Sequence, residues 1–361
     1  MTSRCGKVPL DPGVDVPAGT DLRVVPFDGT AAEWDDFLMG HGESSFCHLG
    51  AWREIMSQAL GHTLHYRVAL DGAGRVHGLL PLVRVRSRLF GDYLVSMPFL
   101  SYGGPIGTQE ARALLALDAV REAQGLGVDL LELRSRSPVP GDLRRSERKL
   151  TVLMDLPGTS EELWKNGLRG KVRSQVRRPM KEGMEARFGP ELMEAFYGVF
   201  ARTMRELGTP VLPRDFFAGV LGGMPEQVIL GVVFRKDEPV AAGFGFLWNG
   251  EVEITWAGAL REVSRMAPNM LLYWSFMERA IRSGAHTFNF GRCSPGSGTH
   301  RFKGQWGGED HPLPWAQWSP GSVSATPAPT GRKYRLATAV WSRLPLPVTN
   351  RMGPFISRSL P

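Results

Sequence analysis

The sequence predicts an α+β protein built from two units of the same architecture. Helical and strand periodicities both occur, and the strands are joined by short hairpin turns, which implies mainly antiparallel sheets flanked by helices. An order of two helices, hairpin, third strand, Gly- or Pro-bearing loop, helix and strand runs through 22–157 and again through 158–320. The repeat is one of elements and not of letters. A length of 361 residues agrees with two domains of ordinary size. Residues 1–21 read as a loose Pro/Gly-rich lead-in, and 321–361 as a basic, Pro-rich tail outside both units.

In the first unit, 22–27 reads as a strand, and 31–39 and 51–60 read as short helices. Residues 65–70 and 76–85 form a hairpin around Asp71-Gly72-Ala73-Gly74. A strand at 93–100 leads into the loop Ser101-Tyr102-Gly103-Gly104-Pro105. A helix at 108–124 ends at Gly125, a strand covers 128–133, the basic stretch 134–149 is a loop, and 150–156 is a strand. In the second unit, Thr159 or Ser160 caps a helix reaching about Lys181, which Pro179 kinks or ends. A strand at 184–188 and helices at 190–207 and 213–221 follow. Then come a hairpin (228–235, 240–248), the turn Asn249-Gly250, a strand at 251–257, a helix at 268–283 closed by Gly284, and strands at 286–290 and 313–318.

The formal charge of +7 is unevenly placed. The tail 321–361 carries six cations and no acid, so the remaining residues net only +1. Seven more cations lie between Lys165 and Lys181 with no acid among them. Such clusters favour phosphate-bearing partners or an anionic membrane face. Three scattered cysteines make neither a disulfide framework nor a zinc site, and eight histidines without HxxxH or HExxH spacing leave no metal motif. The apolar runs are too short to span a bilayer, and residues 1–13 lack a signal pattern. The expected location is therefore the cytoplasm, or the inner face of the membrane as a peripheral protein.

The stretch 285–308, AHTFNFGRCSPGSGTHRFKGQWGG, ends a strand in a permissive loop surrounded by Arg292, Arg301 and Lys303, with no acid before Glu309. It reads either as a solvated basic edge or as a site for an anion or a developing oxyanion.

The order of elements resembles the N-acyltransferase (GNAT-like) arrangement, present twice. The blocks WKNGLRGKVRSQVRRPMK (164–181), FARTMRELGTP (200–210), PNMLLYW (268–274), FNFGR (288–292), GTHRFKGQWG (298–307) and the tail 341–361 resemble the FemAB family. They are most similar to the FemAB-like proteins encoded with exopolysaccharide and PEP-CTERM/exosortase systems. The resemblance implies transfer of an aminoacyl group from aminoacyl-tRNA to an amine of a cell-wall, peptidoglycan or polysaccharide precursor, either a small molecule or lipid-linked. It implies no bound cofactor. Acyl-CoA remains an alternative donor, and a non-catalytic binding module an alternative role. Two features depart from the pattern: there is no room for a long helical arm that some members use with tRNA, and Cys293 stands where close relatives carry Ser. The segment Arg265-Met266-Ala267-Pro268-Asn269 also lacks the glycines with which a pyrophosphate loop approaches CoA.

Candidate residues follow from these blocks. The resemblance places Phe302 and Lys303 at the transfer site, with Lys303 as a fixed cation for the tetrahedral oxyanion; the bland alternative is a solvated lysine. Arg292 is either a phosphate or carboxylate clamp or a structural ion pair. Glu253 could hydrogen-bond or deprotonate the acceptor amine, with Trp256 beside it. Arg265 and Asn269 open a helix whose N–H groups favour a donor anion, though Asn269 also suits a cap. Lys171, Arg173, Arg177 and Arg178 are phosphate contacts to acceptor or tRNA, or a solvated face. Phe46, His48, Trp52 and Tyr102 either shape the acceptor cleft or pack the core. Cys293 has no histidine partner in any motif and is a poor candidate nucleophile. The tail is either a membrane-surface segment or a strap on the second unit. The oligomeric state is open.

Overall fold

Strand alternation and the hairpin turns put the second unit around a seven-stranded sheet. In the computed structural model, which describes residues 21–321 and 332–360, its order is Met184–Phe188, Val228–Arg235, Glu238–Trp248, Glu251–Ala259, Thr287–Cys293, Leu150–Asp155, Glu309–Pro312. Two tight turns set its register. Lys236 and Asp237 have φ of 49° and 64°, and Asn249 and Gly250 have 46° and 73°. Positive φ at both central residues matches the twist of the strands that each turn joins. Alternation then assigns the faces. Phe244 packs on Phe196, and Phe246 packs on Phe46, on one side. On the other, Gly243 and Gly245 admit Phe276 of the helix Pro268–Arg282.

The first unit is split. The hairpin strand expected at 76–85 breaks into Val76–Leu80 and Val83–Ser87, because Pro81 has no N–H to give the ladder. One piece joins a four-stranded sheet and the other a six-stranded sheet. The strand expected at 93–100 stops at Val95; Met97 (φ 58°) and Phe99 (φ 70°) turn the chain instead. The helix expected to end at Gly125 continues to Leu126 and closes on Gly127 (φ 65°).

Two strands cross the boundary expected at 157. Leu150–Asp155 inserts between Thr287–Cys293 and Glu309–Pro312 of the second unit's sheet. Trp315–Trp318 inserts between Leu130–Leu133 and Arg144–Ser146 of the first. The units thus exchange a strand each. Their interface is continuous core: Trp34, Phe46 and Trp52 join Phe216, Phe244 and Phe246 in one buried cluster.

Elsewhere the helix expected at 159–181 is interrupted by a wider turn at Leu163–Gly167, then resumes at Gly170–Lys181 with Pro179 in its last turn. The loop expected after Cys293 is short, and Gly298–Gly304 is helical, capped by Ser297. The Pro-rich end of the tail is also helical, at Leu346–Ser357, with Pro347 in the first turn where an N–H has no partner to lose. The expectations for 1–20 and 322–331 lie outside the described residues.

Candidate functional site

Glu251 and Glu253 are two apart on Glu251–Ala259 and share a face. This strand runs parallel to Thr287–Cys293, but the two pair at only three positions, the last being Glu253 opposite Asn289. There the neighbouring strand bulges: Gly291 holds φ 73°, and its pairing with Leu150–Asp155 shifts register between Thr151 and Leu153. A Cβ on Gly291 would stand 2.8 Å from the Ile254 carbonyl oxygen and 3.7 Å from both Glu253 Oε1 and Lys303 Nζ. Glycine is required here by backbone conformation and by space, and it lets the carboxylate and the ammonium both approach the same point of the strand.

Asn289, completely buried, ties this region together. Its Nδ2 donates to Tyr102 Oη (3.0 Å), Glu251 Oε1 (2.9 Å) and Glu253 Oε2 (3.0 Å), so two amide protons serve three acceptors. Its Oδ1 accepts from Thr151 Oγ1 at 2.5 Å and from the Gly291 N–H at 2.8 Å. Arg136, from the first unit, lies over the Tyr102 ring at 4.0 Å and forms a two-point ion pair with Glu251, one contact at 2.8 Å. Glu253, by contrast, accepts only from Asn289 and from Thr255 Oγ1 (3.2 Å). Burial, reinforced by the Glu251 charge, pushes its carboxyl up to about 7, against the pull of Arg136 and Lys303. Lys303 is 4% exposed, and its Nζ donates to the carbonyls of Gly291 (2.6 Å) and Arg292 (3.0 Å). Burial brings its ammonium down to about 8. An acid and a base therefore both titrate close to neutrality beside Gly291.

Two cavities open on this network. One, of about 180 Å³, is lined by Ser45, Arg136, Glu251, Glu253, His286 and Thr287 among others. The other, of about 140 Å³, includes His48, Tyr102, Gly104 and Arg136 in its lining. Arg136 and Ser45 border both; the first is lined by both units and forms a cleft between them, whereas the second is lined by the first unit alone.

Of the residues expected from sequence, Glu253, Lys303 and Tyr102 meet here. Lys303 is buried, which removes the reading as a solvated lysine. Phe302 packs edge-on against Tyr273 at 5.0 Å, beside Lys303 on the same helix. Arg292 is not presented to a ligand as a clamp. Its Nη1 donates to the Leu100 carbonyl at 2.5 Å, it lies over Trp315, and burial lowers its pKa to about 10. It holds the left-handed turn at 97–100 together with Arg134, which donates to the same carbonyl at 3.1 Å. Trp52 and Trp256 are core residues around Phe216 and Phe246, not cleft walls. His48 is held neutral by burial, which lowers it to about 4, between the Ser45 N–H and the Gly104 carbonyl. Burial raises the Cys293 thiol, which disfavours the thiolate a nucleophile needs.

Arg265 is exposed on the turn Arg261–Met266, before the helix that Asn269 opens. Asn269 Oδ1 is buried without a hydrogen-bond partner, so it does not act as the cap. Pro268 brings no N–H, and the Met270 N–H is bonded to the Ala267 carbonyl, so this helix start has fewer free donors than usual. Lys171, Arg177 and Arg178 are exposed on Gly170–Lys181, and none of them lines either cavity. Arg173 is internal: its Nη1 donates to the carbonyls of Trp164, Lys165 and Leu168 and fastens the wide turn.

Sequence reading missed Asn289, Arg136, Glu251 and Thr151. Asn289 left a trace, a lone amide inside the apolar strand FNF. The others became recognisable only when the exchanged strand and the first-unit loop were in place. Among the described residues no group of three or more His, Cys, Asp or Glu could hold a metal ion.

The architecture is a GNAT-type fold, with mixed sheets flanked by helices, and residues 168–304 match the family described as Acetyltransferase (GNAT) domain. The matched segment includes Glu253, Asn289 and Lys303. Among solved structures, FemX is similar at TM-score 0.62 and 14% identity, over 82% of this chain and 97% of that one. A C-terminal DUF2156 domain from Agrobacterium fabrum, described under the name lysylphosphatidylglycerol synthetase, is similar at TM-score 0.55 and 15% identity, over 80% and 90% of the two chains. A tandem GNAT protein from the clavulanic acid biosynthesis pathway is similar at TM-score 0.50 and 14% identity, over 84% and 100%. No curated protein matches the sequence. No helix among the described residues is long and apolar enough to cross a membrane.

Proposed function

We propose that the protein is an N-acyltransferase that moves an aminoacyl or acyl group onto an amine of a cell-envelope, peptidoglycan or exopolysaccharide precursor. The observation that carries this reading is Glu253, a buried carboxylate at the foot of the inter-unit cleft whose pKa is raised to about 7. An amine nucleophile must lose a proton to become an amide, and a base titrating near neutrality is suited to take it. The acceptor occupies the cavity that Ser45, the Arg136–Glu251 ion pair and Glu253 line. Its nitrogen attacks the acyl carbonyl, the C–N bond forms, and Glu253 receives the N–H proton. The tetrahedral oxyanion develops on the Lys303 side, where a fixed ammonium with one N–H still free lowers its energy. Collapse breaks the bond to the leaving group, a ribose oxygen or a thiolate sulfur, which takes up a proton as Glu253 returns to its ionised form.

The helix start at Pro268–Asn269, poor in free N–H groups and lacking glycine, favours an aminoacyl ester over a CoA thioester as donor. The resemblance to FemAB-type sequences points the same way. The test is donor consumption by the full chain, with aminoacyl-tRNA and with acetyl-CoA in separate reactions, each with and without an amino-sugar or amino-acid acceptor. Amine-dependent consumption of either donor supports the reading and identifies the donor. Consumption of neither overturns it in favour of a binding module.

A further inference from the structure

The two C-terminal helices invert the usual amphipathic pattern. A helix on a water-facing protein buries its bulky apolar residues and shows its small or polar ones. Here Leu346–Ser357 buries Thr349, Gly353 and Ser357, spaced four apart, and a Cβ on Gly353 would stand only 3.1 Å from Val211. Its opposite side carries Val348, Met352 and Phe355, the last 61% exposed. The helix Arg332–Trp341 repeats this. Thr338 faces Gly208, while Leu336 (67% exposed) and Val340 point outward. The Leu344 carbonyl between the helices accepts from Arg205 of the second unit at 3.4 Å. The strap is therefore fastened chiefly through small residues, and five large ones, Leu336, Val340, Val348, Met352 and Phe355, are left outside.

Charge identifies what covers them. Residues 321–361 contain six cations and no acid. Arg335, Arg343, Arg351 and Arg358 are exposed around the apolar residues, and none joins a salt bridge among the described residues. A second copy docking symmetrically would bring one such cationic face against another. Nucleic acid would engage the arginines and leave five bulky apolar groups in water. An acidic bilayer satisfies both, with acyl chains for the apolar residues and headgroups for the arginines. We propose that these two helices form a docking surface for an anionic lipid bilayer, on which the protein lies without spanning it. This stands independently of the transfer reaction.

The experiment is flotation of the full chain with vesicles of phosphatidylcholine alone or mixed with phosphatidylglycerol, at low and high salt. Binding to the phosphatidylglycerol vesicles only, weakened by salt, is expected. The double variant Leu336→Asp/Phe355→Asp alters exposed side chains only; it should bind at least about tenfold more weakly per residue changed while melting as wild type does. The proposal is overturned if the wild-type chain ignores phosphatidylglycerol vesicles, or if the double variant floats equally well. A concentration-dependent dimer that the same variant abolishes would likewise overturn it, since the face would then belong to a second copy.

Discussion

Each unit buries a glutamate on its central parallel strand pair, and the two are treated differently. In the first unit, Tyr93, Leu94 and Val95 pair with Leu130, Leu131 and Glu132, the same three-rung parallel ladder that joins Glu251–Glu253 to Thr287–Asn289. Each pair is extended by a strand from the other unit. Glu132 is matched completely: Arg134 Nε donates to it at 2.8 Å and Gln317 Nε2, from the exchanged strand, at 2.7 Å. Glu253 has an amide and a hydroxyl, a second carboxylate nearby, and no directly bonded cation. A buried charge with its counter-ion is structure. A buried carboxyl without one is held ready to exchange a proton.

The largest expected difference is in turnover. Glu253→Gln should lower kcat/KM by about a hundredfold to ten-thousandfold, the usual contribution of a general base, with the fold retained. Turnover within a factor of two of wild type would remove Glu253 from the chemistry. Glu132→Gln should do the opposite, leaving Arg134 buried without its partner and costing about 3–5 kcal/mol in chemical unfolding. Activity per folded molecule should not change.

Lys303 lies between these extremes, since it is both buried and close to Gly291, next to Glu253. Lys303→Met leaves two carbonyls without a donor and should cost about 2–4 kcal/mol of stability as well as turnover. A stable, inactive variant would show that its role is chemical alone. The stability of the wild-type protein should also carry the signature of Glu253. Its folded pKa, about 7, lies above the ordinary 4.5, so the native state holds a proton that the unfolded chain has released. Stability should therefore fall as pH rises from about 4.5 to about 7, by up to about 3 kcal/mol, and level off above. Glu253→Gln should flatten that limb, and a limb unchanged in the variant would assign it to another group.

The sequence carried the fold class and the order of the elements. Periodicity, the turns at 236–237 and 249–250, and the cap at Thr159 act over a few residues and are written locally. Glu253 and Lys303 are singled out by the GNAT-like and FemAB-like resemblance, and Tyr102 by its place in a Gly-Gly loop, with core packing as its alternative. The sequence could not decide that Leu150–Asp155 and Trp315–Trp318 would change sheets, because strand pairing is long-range and one apolar strand resembles another. From that exchange come Thr151 on Asn289 and Gln317 on Glu132, and with them the difference between the two glutamates. Tertiary structure also decided which cations reach a ligand: Arg292 and Arg173 are engaged by main-chain carbonyls, as only the packed chain could show. The residue types were legible in the sequence, but desolvation and partnership, which give a carboxylate its pKa, exist only once the chain has folded around it.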